Sequence, residues 1–507
     1  MFFHPALLSL LIWLPVLGAV TIILTGGDHH PTLARVIAGV ISVANLLLCI
    51  PLYLQFDPQS VLMQFTEDHL WISAYQIHYA LGIDGISLAM IILTNFTGLL
   101  VIFAGSHSIK VRVGQYMAAF LMMQGMMTGV FAATDAILFY VFWEGMLIPM
   151  YLSIGMWGSS NRNYASIKFF LYTFLGSILM FIALLYLHIQ TGSFDIGHFY
   201  QLHLSPNIQK FIFFAFFLAF AVKVPMWPVH TWLPDAHTEA PSGGSVVLAA
   251  LMLKLGIYGF LRFSMPIVPD ACAHLSGMMI ALSLIAIVYI GLVAIVQTDM
   301  KKLIAYSSIA HMGFATLGCF MIYDIVRHTS GSQDAYMSLE GAVVQMISHA
   351  FGSGAMFLGV GLLADRLSSH SRNIQDYRGV ANSMPIFAAF FMLFAMSNVG
   401  LPGTAGFVGE LMVIMSAVQA HFYIACISAL TLILASAYTL WMVKRVFFGM
   451  TLNREIGAMC DIHGYELINY VLLAIGVLFI GLYPEPILHV LHASVGHILS
   501  LSIPAVS

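Results

Sequence analysis

The spacing of apolar residues constrains the fold of this chain most strongly. About 14 apolar stretches of roughly 20 residues follow one another along 507 residues, separated by polar loops. About 20 apolar residues in a helix cross the hydrocarbon core of a bilayer. Only 8% of the residues are charged, against roughly 25% in soluble domains, so a soluble fold is excluded. The sequence predicts an all-α membrane protein with spans at 5–25, 31–54, 83–104, 114–133, 136–157, 164–189, 211–229, 244–264, 274–297, 301–322, 340–363, 385–417, 421–446 and 467–490.

The basic residues predict which way the chain crosses the membrane. If the N-terminus faces outside, thirteen Lys and Arg residues fall in inner loops: Arg35, Lys110, Arg112, Arg162, Lys168, Lys301, Lys302, Arg366, Arg372, Arg378, Lys444, Arg445 and Arg454. Three fall in outer loops, namely Lys210, Arg262 and Arg327. Basic loops remain on the cytoplasmic side of membranes. Both termini are therefore predicted to be outside. The first segment lacks a basic start and a cleavage site, which favours a span over a cleaved signal.

Four ionisable residues lie inside predicted spans, where each needs a reason to be tolerated. They are Glu144, Lys223, Lys254 and Glu410. A charge at the centre of the bilayer costs at least ~2.5–3.5 kcal/mol and usually marks an ion or proton pathway. His311 and His349 also lie within spans, and histidine titrates near neutral pH, which suits a proton relay. These six residues are the candidate proton-translocating residues.

The backbone beside two of these residues is predicted to be interrupted. Pro225 and Pro228 follow Lys223 in span seven and are expected to free the carbonyls of Ala221 and Val224. In span twelve, glycines and one proline precede Glu410: Gly400, Pro402, Gly403, Gly406 and Gly409. Broken helices in matching parts of two halves are typical of transport sites.

The positions of the two breaks predict a division of the chain into two related units. Spans four to eight (111–265) and nine to thirteen (266–450) form two five-helix units, each with a broken fourth helix. Because five is odd, the second unit is inverted relative to the first. Spans one to three (1–110) precede these units, and span fourteen (451–507) follows them.

A carboxylate beside a buried lysine stabilises the protonated lysine, so moving or neutralising the carboxylate releases the proton. On this logic Glu144 controls Lys223, and protons pass through Lys254 and the histidines to Glu410. Structural alternatives stay open: a static Glu144–Lys223 ion pair, another carboxylate partner for Lys254, helix capping by Glu410, and hydrogen-bonded core histidines.

Other polar and cysteine residues receive simpler interpretations. Asp84 and Asp135 lie at span starts and are predicted helix caps. His230 and His237 flank a proline-containing turn rather than sharing a helix face, which does not favour a metal site. The five cysteines lack cluster spacing and are predicted to be small buried residues.

Four stretches of sequence resemble the antiporter-like subunits of respiratory complex I, the NADH:quinone oxidoreductase. They are FWEGMLIPMY, AVKVPMWPVHTWLPDAHTEAPSGGSVVLAALMLKLGIYG, QTDMKKLIAYSSIAHMGF and LPGTAGFVGE. The resemblance covers nearly the whole chain. It implies fourteen helices with two inverted five-helix repeats and broken helices 7 and 12. It also implies that Glu144, Lys223, Lys254 and Glu410 are essential charged residues, with His311 and His349 on a connecting polar axis.

The resemblance also implies where the redox chemistry takes place. This chain would carry no cofactor or metal. NADH, FMN, iron–sulfur clusters and quinone would bind to other subunits of the complex. Antiporter-like neighbours would flank the chain on both sides in a bacterial inner membrane, and no nucleic acid would be involved.

Three classes of function compete for this sequence. The first is a proton-translocating subunit driven by NADH-to-quinone electron transfer elsewhere. The second is a subunit of a Mrp-type cation/proton antiporter or of a membrane-bound hydrogenase. The third, a redox-active membrane protein such as a quinol oxidase, would need paired haem or copper ligands, which the sequence does not supply. Glu410 favours the first class, because subunit L and the Mrp-type subunits typically place lysine there.

Overall fold

The computed structural model describes residues 6–328, 333–451 and 453–503. Twelve of its helices are long and apolar enough to cross a membrane. They are α1 (Leu7–Leu24), α2 (Pro31–Leu54), α3 (Gly85–Ser108), α5 (Ala136–Trp157), α6 (Arg162–Thr191), α7 (Pro206–Lys223), α9 (Ser242–Ile267), α10 (Pro269–Ile295), α11 (Met300–Phe320), α12 (Gln333–Arg366), α15 (Phe422–Phe447) and α16 (Gly464–Leu482).

The remaining elements complete the architecture. The other long helices are α4 (Val113–Ala132), α8 (Trp232–Glu239), α13 (Pro385–Val399), α14 (Ala405–Ala420) and α17 (Glu485–Ser502). Strands β1 (Gln64–Ile72) and β2 (Ile77–Ile83) form an antiparallel hairpin. Short helices lie at Ser73–Tyr75, Ile196–Phe199, Ile322–His328, Ile374–Asp376, Val380–Ser383 and Arg454–Gly457.

Twelve described helices are long and apolar enough to be spans, and the architecture is consistent with the prediction of fourteen. Helix α4 supplies the fourth span, and the consecutive helices α13 and α14 divide the twelfth. The predicted start of the first span, Pro5, lies outside the described residues. Asp84 accepts a hydrogen bond from the Ser87 amide, and Asp135 accepts from the amides of Ile137 and Leu138, so both predicted caps are confirmed.

Both predicted helix breaks are present. Helix α7 ends at Lys223, and the chain turns through two prolines before α8. The prediction of a free Ala221 carbonyl is wrong, because it accepts a hydrogen bond from the Met226 amide at 2.8 Å. The neighbouring carbonyl of Val222 accepts from the Trp232 indole at 2.8 Å. A backbone amide and an indole therefore satisfy the broken end of the helix.

Helix α9 has an uneven pitch around Lys254. Its residues Leu248–Met252 and Phe260–Ser264 form π-helical turns on either side of the regular segment Leu253–Gly259. A π turn widens the backbone and displaces a carbonyl from the usual hydrogen-bond ladder. The carbonyls of α9 are thus available to the side chain at its centre.

Two elements outside the spans cover the same end of the helices. The segment between α2 and α3 contains the β-hairpin, and Glu67 of β1 accepts hydrogen bonds from the Leu8 and Ser9 amides of α1. Helix α17 was not predicted. It contacts the start of α3, where the Gly85 amide donates to Ser494 at 2.8 Å. The predicted span to residue 490 was therefore too long, because α16 ends at Leu482.

Candidate functional site

Lys254 lies at the centre of α9 and is fully buried. Its ammonium group donates to the Ala249 carbonyl in the adjoining π turn, and its Nζ lies 2.7 Å from Nδ1 of His349 on α12. The predicted alternative of a carboxylate partner for Lys254 is therefore wrong in this structure. The lysine is instead held by a carbonyl, which accepts only, and by an imidazole, which can accept or carry a proton.

A polar line continues from His349 to the broken twelfth span. The rings of His349 and His311 lie 5.9 Å apart between centroids. Nδ1 of His311 lies 2.9 Å from Oε1 of Glu410, and both side chains are buried. Gln345 donates to the same carboxylate oxygen at 3.4 Å. The structure thus brings together four of the six predicted residues, in the order Lys254, His349, His311, Glu410.

The interrupted helix pair α13–α14 positions Glu410. Gly400 ends α13 in the left-handed conformation, with φ of +79°, and the α14 helix restarts after Thr404. Glu410 lies within α14, and its carboxylate points to His311 rather than to the start of the helix. The alternative that Glu410 caps the restarted helix is therefore wrong. Gly409 allows α14 to approach α12 closely, because a Cβ there would lie 2.7 Å from the Gln345 amide nitrogen.

Glu144 on α5 and Lys223 at the end of α7 make no direct contact with each other. The buried Lys223 ammonium has no hydrogen-bond partner and lies 5.1 Å from the centre of the Trp143 ring. Oε1 of Glu144 is buried and likewise has no hydrogen-bond partner. Among the described residues, the ion pairs with N···O distances up to 4.0 Å do not include these two groups. The predicted alternative of a closed, static ion pair is not the arrangement found.

His237 is a candidate residue whose importance the sequence analysis missed. The predicted proline-containing turn between His230 and His237 is instead part of the buried helix α8, which an ion pair of 2.7 Å between Lys168 and Asp235 joins to α6. His237 is fully buried, stacks on Phe357 at 4.3 Å, and neither ring nitrogen has a hydrogen-bond partner. The signal available in the sequence was the break after Lys223. A span that breaks there needs a second helix to complete the crossing, and His237 lies in that helix, α8.

His237 also lies near two buried lysines. Its ring lies in the electrostatic field of Lys254 and Lys301. Lys301 is buried at the start of α11 and donates to the Ala240 carbonyl at 2.7 Å. An unpaired buried polar group costs about 1–3 kcal/mol, which makes the unpaired His237 ring a candidate functional group.

The cysteine prediction is only partly right. Cys49, Cys272 and Cys319 are buried, whereas Cys426 and Cys460 are exposed. Across the described ranges, no cluster of three or more His, Cys, Asp or Glu residues has the arrangement of a metal site.

Comparison with known proteins identifies close relatives over the whole length. Residues 133–436 match the family model described as "NADH:quinone oxidoreductase/Mrp antiporter, TM". "NADH-quinone oxidoreductase subunit M" of Rhodobacter capsulatus is 43% identical, covering 97% of this chain and 96% of the relative. "NADH-ubiquinone oxidoreductase chain 4" of Prototheca wickerhamii is 40% identical, covering 98% of this chain and 95% of the relative.

Solved structures show the same architecture. A chain of the respiratory complex I of Thermus thermophilus superposes with a TM-score of 0.87 at 28% identity, covering 98% of this chain and 99% of that chain. A chain of the Mrp complex from Dietzia sp. superposes with a TM-score of 0.83 at 18% identity, over 99% and 100% of the two chains. The second similarity concerns the fold alone.

Proposed function

The chain belongs to the family of membrane subunits shared by NADH:quinone oxidoreductases and Mrp antiporters, and we propose that it translocates protons through the line from Glu144 to Glu410. Its full-length relatives at about 40% identity are named subunit M or chain 4 of the oxidoreductase. This chain therefore acts in the membrane arm of such a complex, flanked by other membrane subunits. The residue roles are our assignment.

The polar line that joins Lys254, His349, His311 and Glu410 is the observation that carries the proposal. The Lys254–His349 and His311–Glu410 contacts are 2.7 and 2.9 Å, which is hydrogen-bond distance. Within each contact either partner can hold the proton, because amine, imidazole and carboxylate all exchange protons. The gap between the two imidazoles is 5.9 Å between ring centres, a separation that one water can bridge.

Glu144 and Lys223 supply the control at the other end. When Glu144 is ionised and close, it favours the protonated form of the buried Lys223. When Glu144 is neutralised or moves away, the lysine loses that stabilisation and gives up its proton toward α9. His237 lies in the field of Lys254 and provides a further exchangeable group beside this transfer.

The energy for this transfer must come from outside the chain. Moving one charge against 100 mV requires about 2.3 kcal/mol. We assign the energy source, namely NADH oxidation with FMN, iron–sulfur clusters and quinone, to other subunits, with no redox centre in this chain. Glu410 favours this assignment over a Mrp-type antiporter, in which the resemblance implies lysine at this position.

We further propose that the chain divides as its breaks suggest and lies in a bacterial inner membrane. Helices α1–α3 (1–110) precede the first five-span unit (111–265). The second, inverted unit (266–450) follows, and the remainder (451–507) contains α16 and α17. Both termini face the periplasm, because this orientation places thirteen basic residues on the cytoplasmic side.

Substitution of the two controlling groups tests the proposal. In the assembled complex, Glu144→Ala and Lys223→Ala are each expected to lower NADH-driven proton uptake by inverted vesicles about tenfold or more, since a positioned proton-transfer group contributes at least that much. NADH–ferricyanide activity measures assembly without quinone or pumping.

Matched controls use charged residues on the surface. Glu455 is exposed and bonds to Ser368, and Lys444 is exposed at the end of α15. Glu455→Ala and Lys444→Ala should pump like the native complex. Native pumping in Glu144→Ala or Lys223→Ala at normal assembly would overturn the proposal.

A further inference from the structure

A small cavity opens at the outer end of the first five-span unit. Its volume is about 70 Å³, and its polar lining residues are Thr134, Asp195, Tyr200, Tyr258 and Arg262. Asp195 is exposed at the mouth, whereas Tyr258 and Arg262 are 3% and 4% exposed and form the floor. Asp195 and Arg262 are the two residues of opposite charge that line it. The cavity therefore runs from an acidic mouth at the surface to a cationic floor inside the protein.

The floor of this cavity lies close to the central lysine. Lys254 and Tyr258 are four residues apart in the regular segment of α9 and share one face of the helix. Arg262 follows in the next π turn. Four residues rise only about 6 Å along a helix, so roughly one turn separates Lys254 from the cavity. When the membrane is energised, the outer side is rich in protons and electrically positive, which drives protons inward through any open route. A barrier to protons is therefore needed between this cavity and Lys254.

The contacts of Arg262 fix it at the floor. Its guanidinium group pairs with the buried Asp84 at the start of α3, donates to Ser87 at 3.2 Å, and lies 5.3 Å from the centre of the Tyr258 ring. The Tyr258 hydroxyl is held by Ser87 at 2.9 Å and donates to the Phe131 carbonyl at 3.1 Å. Asp84 does not line the cavity, so the cavity is bounded by the guanidinium group and not by its counter-ion.

We propose that Arg262 is a seal that prevents protons from leaking back from the outer side to Lys254. The inference rests on the proposed function, because it needs Lys254 to be part of a proton route. Arginine suits this role for two reasons. Its guanidinium does not give up its proton, so it interrupts a relay where lysine or histidine would continue one. Its fixed positive charge also repels an approaching proton, as an arginine does in pores that exclude cations.

The test measures passive leak in the absence of NADH. The purified complex is reconstituted into liposomes with its outer face toward an acid-loaded lumen, and the decay of the pH gradient is followed by a fluorescent amine. Arg262→Gln is expected to accelerate the decay about tenfold, because an electrostatic barrier is removed. Arg262→Lys keeps the charge but adds an exchangeable proton, and its leak should be intermediate. Arg327→Gln removes an exposed arginine of the same outer side and should stay tight.

Two double variants complete the test. Asp84→Asn with Arg262→Gln removes both charges, leaves no unpaired buried carboxylate, and should also leak if the single variant fails to assemble. Lys254→Leu with Arg262→Gln should be tight again, because the route beyond the seal is lost. A tight, assembled Arg262→Gln complex, or a leak that survives the loss of Lys254, overturns the seal. Native NADH-driven pumping by Lys254→Leu alone would instead count against the proposed function.

Discussion

Lys254 illustrates how much of the proposed chemistry depends on a single contact. The ammonium group has one partner that cannot take its proton, the Ala249 carbonyl, and one that can, His349. Protonated lysine donates to neutral imidazole, and after transfer the imidazolium donates to the amine. The same 2.7 Å contact therefore serves both states, and only the location of the proton differs.

Substitution of His349 separates its role as a proton carrier from its role as a hydrogen-bond partner. His349→Gln retains an acceptor for Lys254 but cannot carry the proton. We expect normal assembly and about tenfold lower NADH-driven pumping, measured in inverted vesicles. His328→Gln, which changes an exposed histidine bonded to the Asp324 carbonyl, is the control. Undiminished pumping by His349→Gln would show that this histidine does not carry the proton and has only a structural role.

At the residue scale, the sequence could identify the ionisable groups but not their partners. A charge in a 20-residue apolar stretch is conspicuous because of its energetic cost, and this criterion found Glu144, Lys223, Lys254 and Glu410. Lys254 and His349 are 95 positions apart in the sequence, and their contact depends on how α9 packs on α12. His237 was missed because its surroundings are polar in sequence and become buried only when other helices cover α8.

At the element scale, the break between α13 and α14 positions the Glu410 carboxylate. Gly400 and Gly403 both have positive φ, +79° and +87°, a conformation that costs other residues about 1–2 kcal/mol. They differ in their surroundings. A Cβ on Gly400 would lie 2.7 Å from Oε2 of Glu410, whereas a Cβ on Gly403 would lie 3.6 Å from Leu482. Alanine at either position therefore imposes the same backbone strain, but only alanine at Gly400 also displaces the Glu410 carboxylate.

This difference predicts opposite outcomes for two equivalent substitutions. Gly400→Ala should reduce NADH-driven pumping several-fold at normal assembly, because the Glu410 carboxylate is pushed from its 2.9 Å contact with His311. Both substitutions should lower the thermal stability of the complex by a similar amount, but Gly403→Ala should leave pumping close to native. Thermal unfolding and vesicle pumping are measured on both. Equal pumping by the two variants would mean that the placement of Glu410 is not critical.

The elements themselves were predictable to different degrees, for physical reasons. The spans were predictable because bilayer thickness fixes their length, and the breaks because proline and glycine interrupt helices. Helix α17 was not, because it is amphipathic: its polar side includes His492, which contacts Glu340 at 2.7 Å, and its buried side packs on α3 and α12. Such a helix has no long apolar run to reveal it.

At the scale of the whole molecule, the number of crossings and the observed contacts agree. The β-hairpin precedes α3 and helix α17 follows α16, with twelve spans between them. An even number of crossings returns the chain to the same side, and the 2.8 Å bond between Gly85 and Ser494 requires that same side. At the opposite end, the Gln115 amide of α4 donates to Asp28 in the loop after α1. These contacts show which helix ends lie on the same side of the membrane. The distribution of basic residues predicts which of the two sides is cytoplasmic.

Cysteine labelling tests this orientation. Cys460 is exposed in the loop between α15 and α16, which the basic residues place on the cytoplasmic side. In a Cys426→Ser background, a membrane-impermeant maleimide should label Cys460 in inverted vesicles and not in right-side-out vesicles. Gln59→Cys, at an exposed position before the β-hairpin, should show the reverse pattern once Cys460 is replaced by serine. Labelling of Cys460 only in right-side-out vesicles would show the opposite orientation. The cavity above Arg262 would then face the cytoplasm.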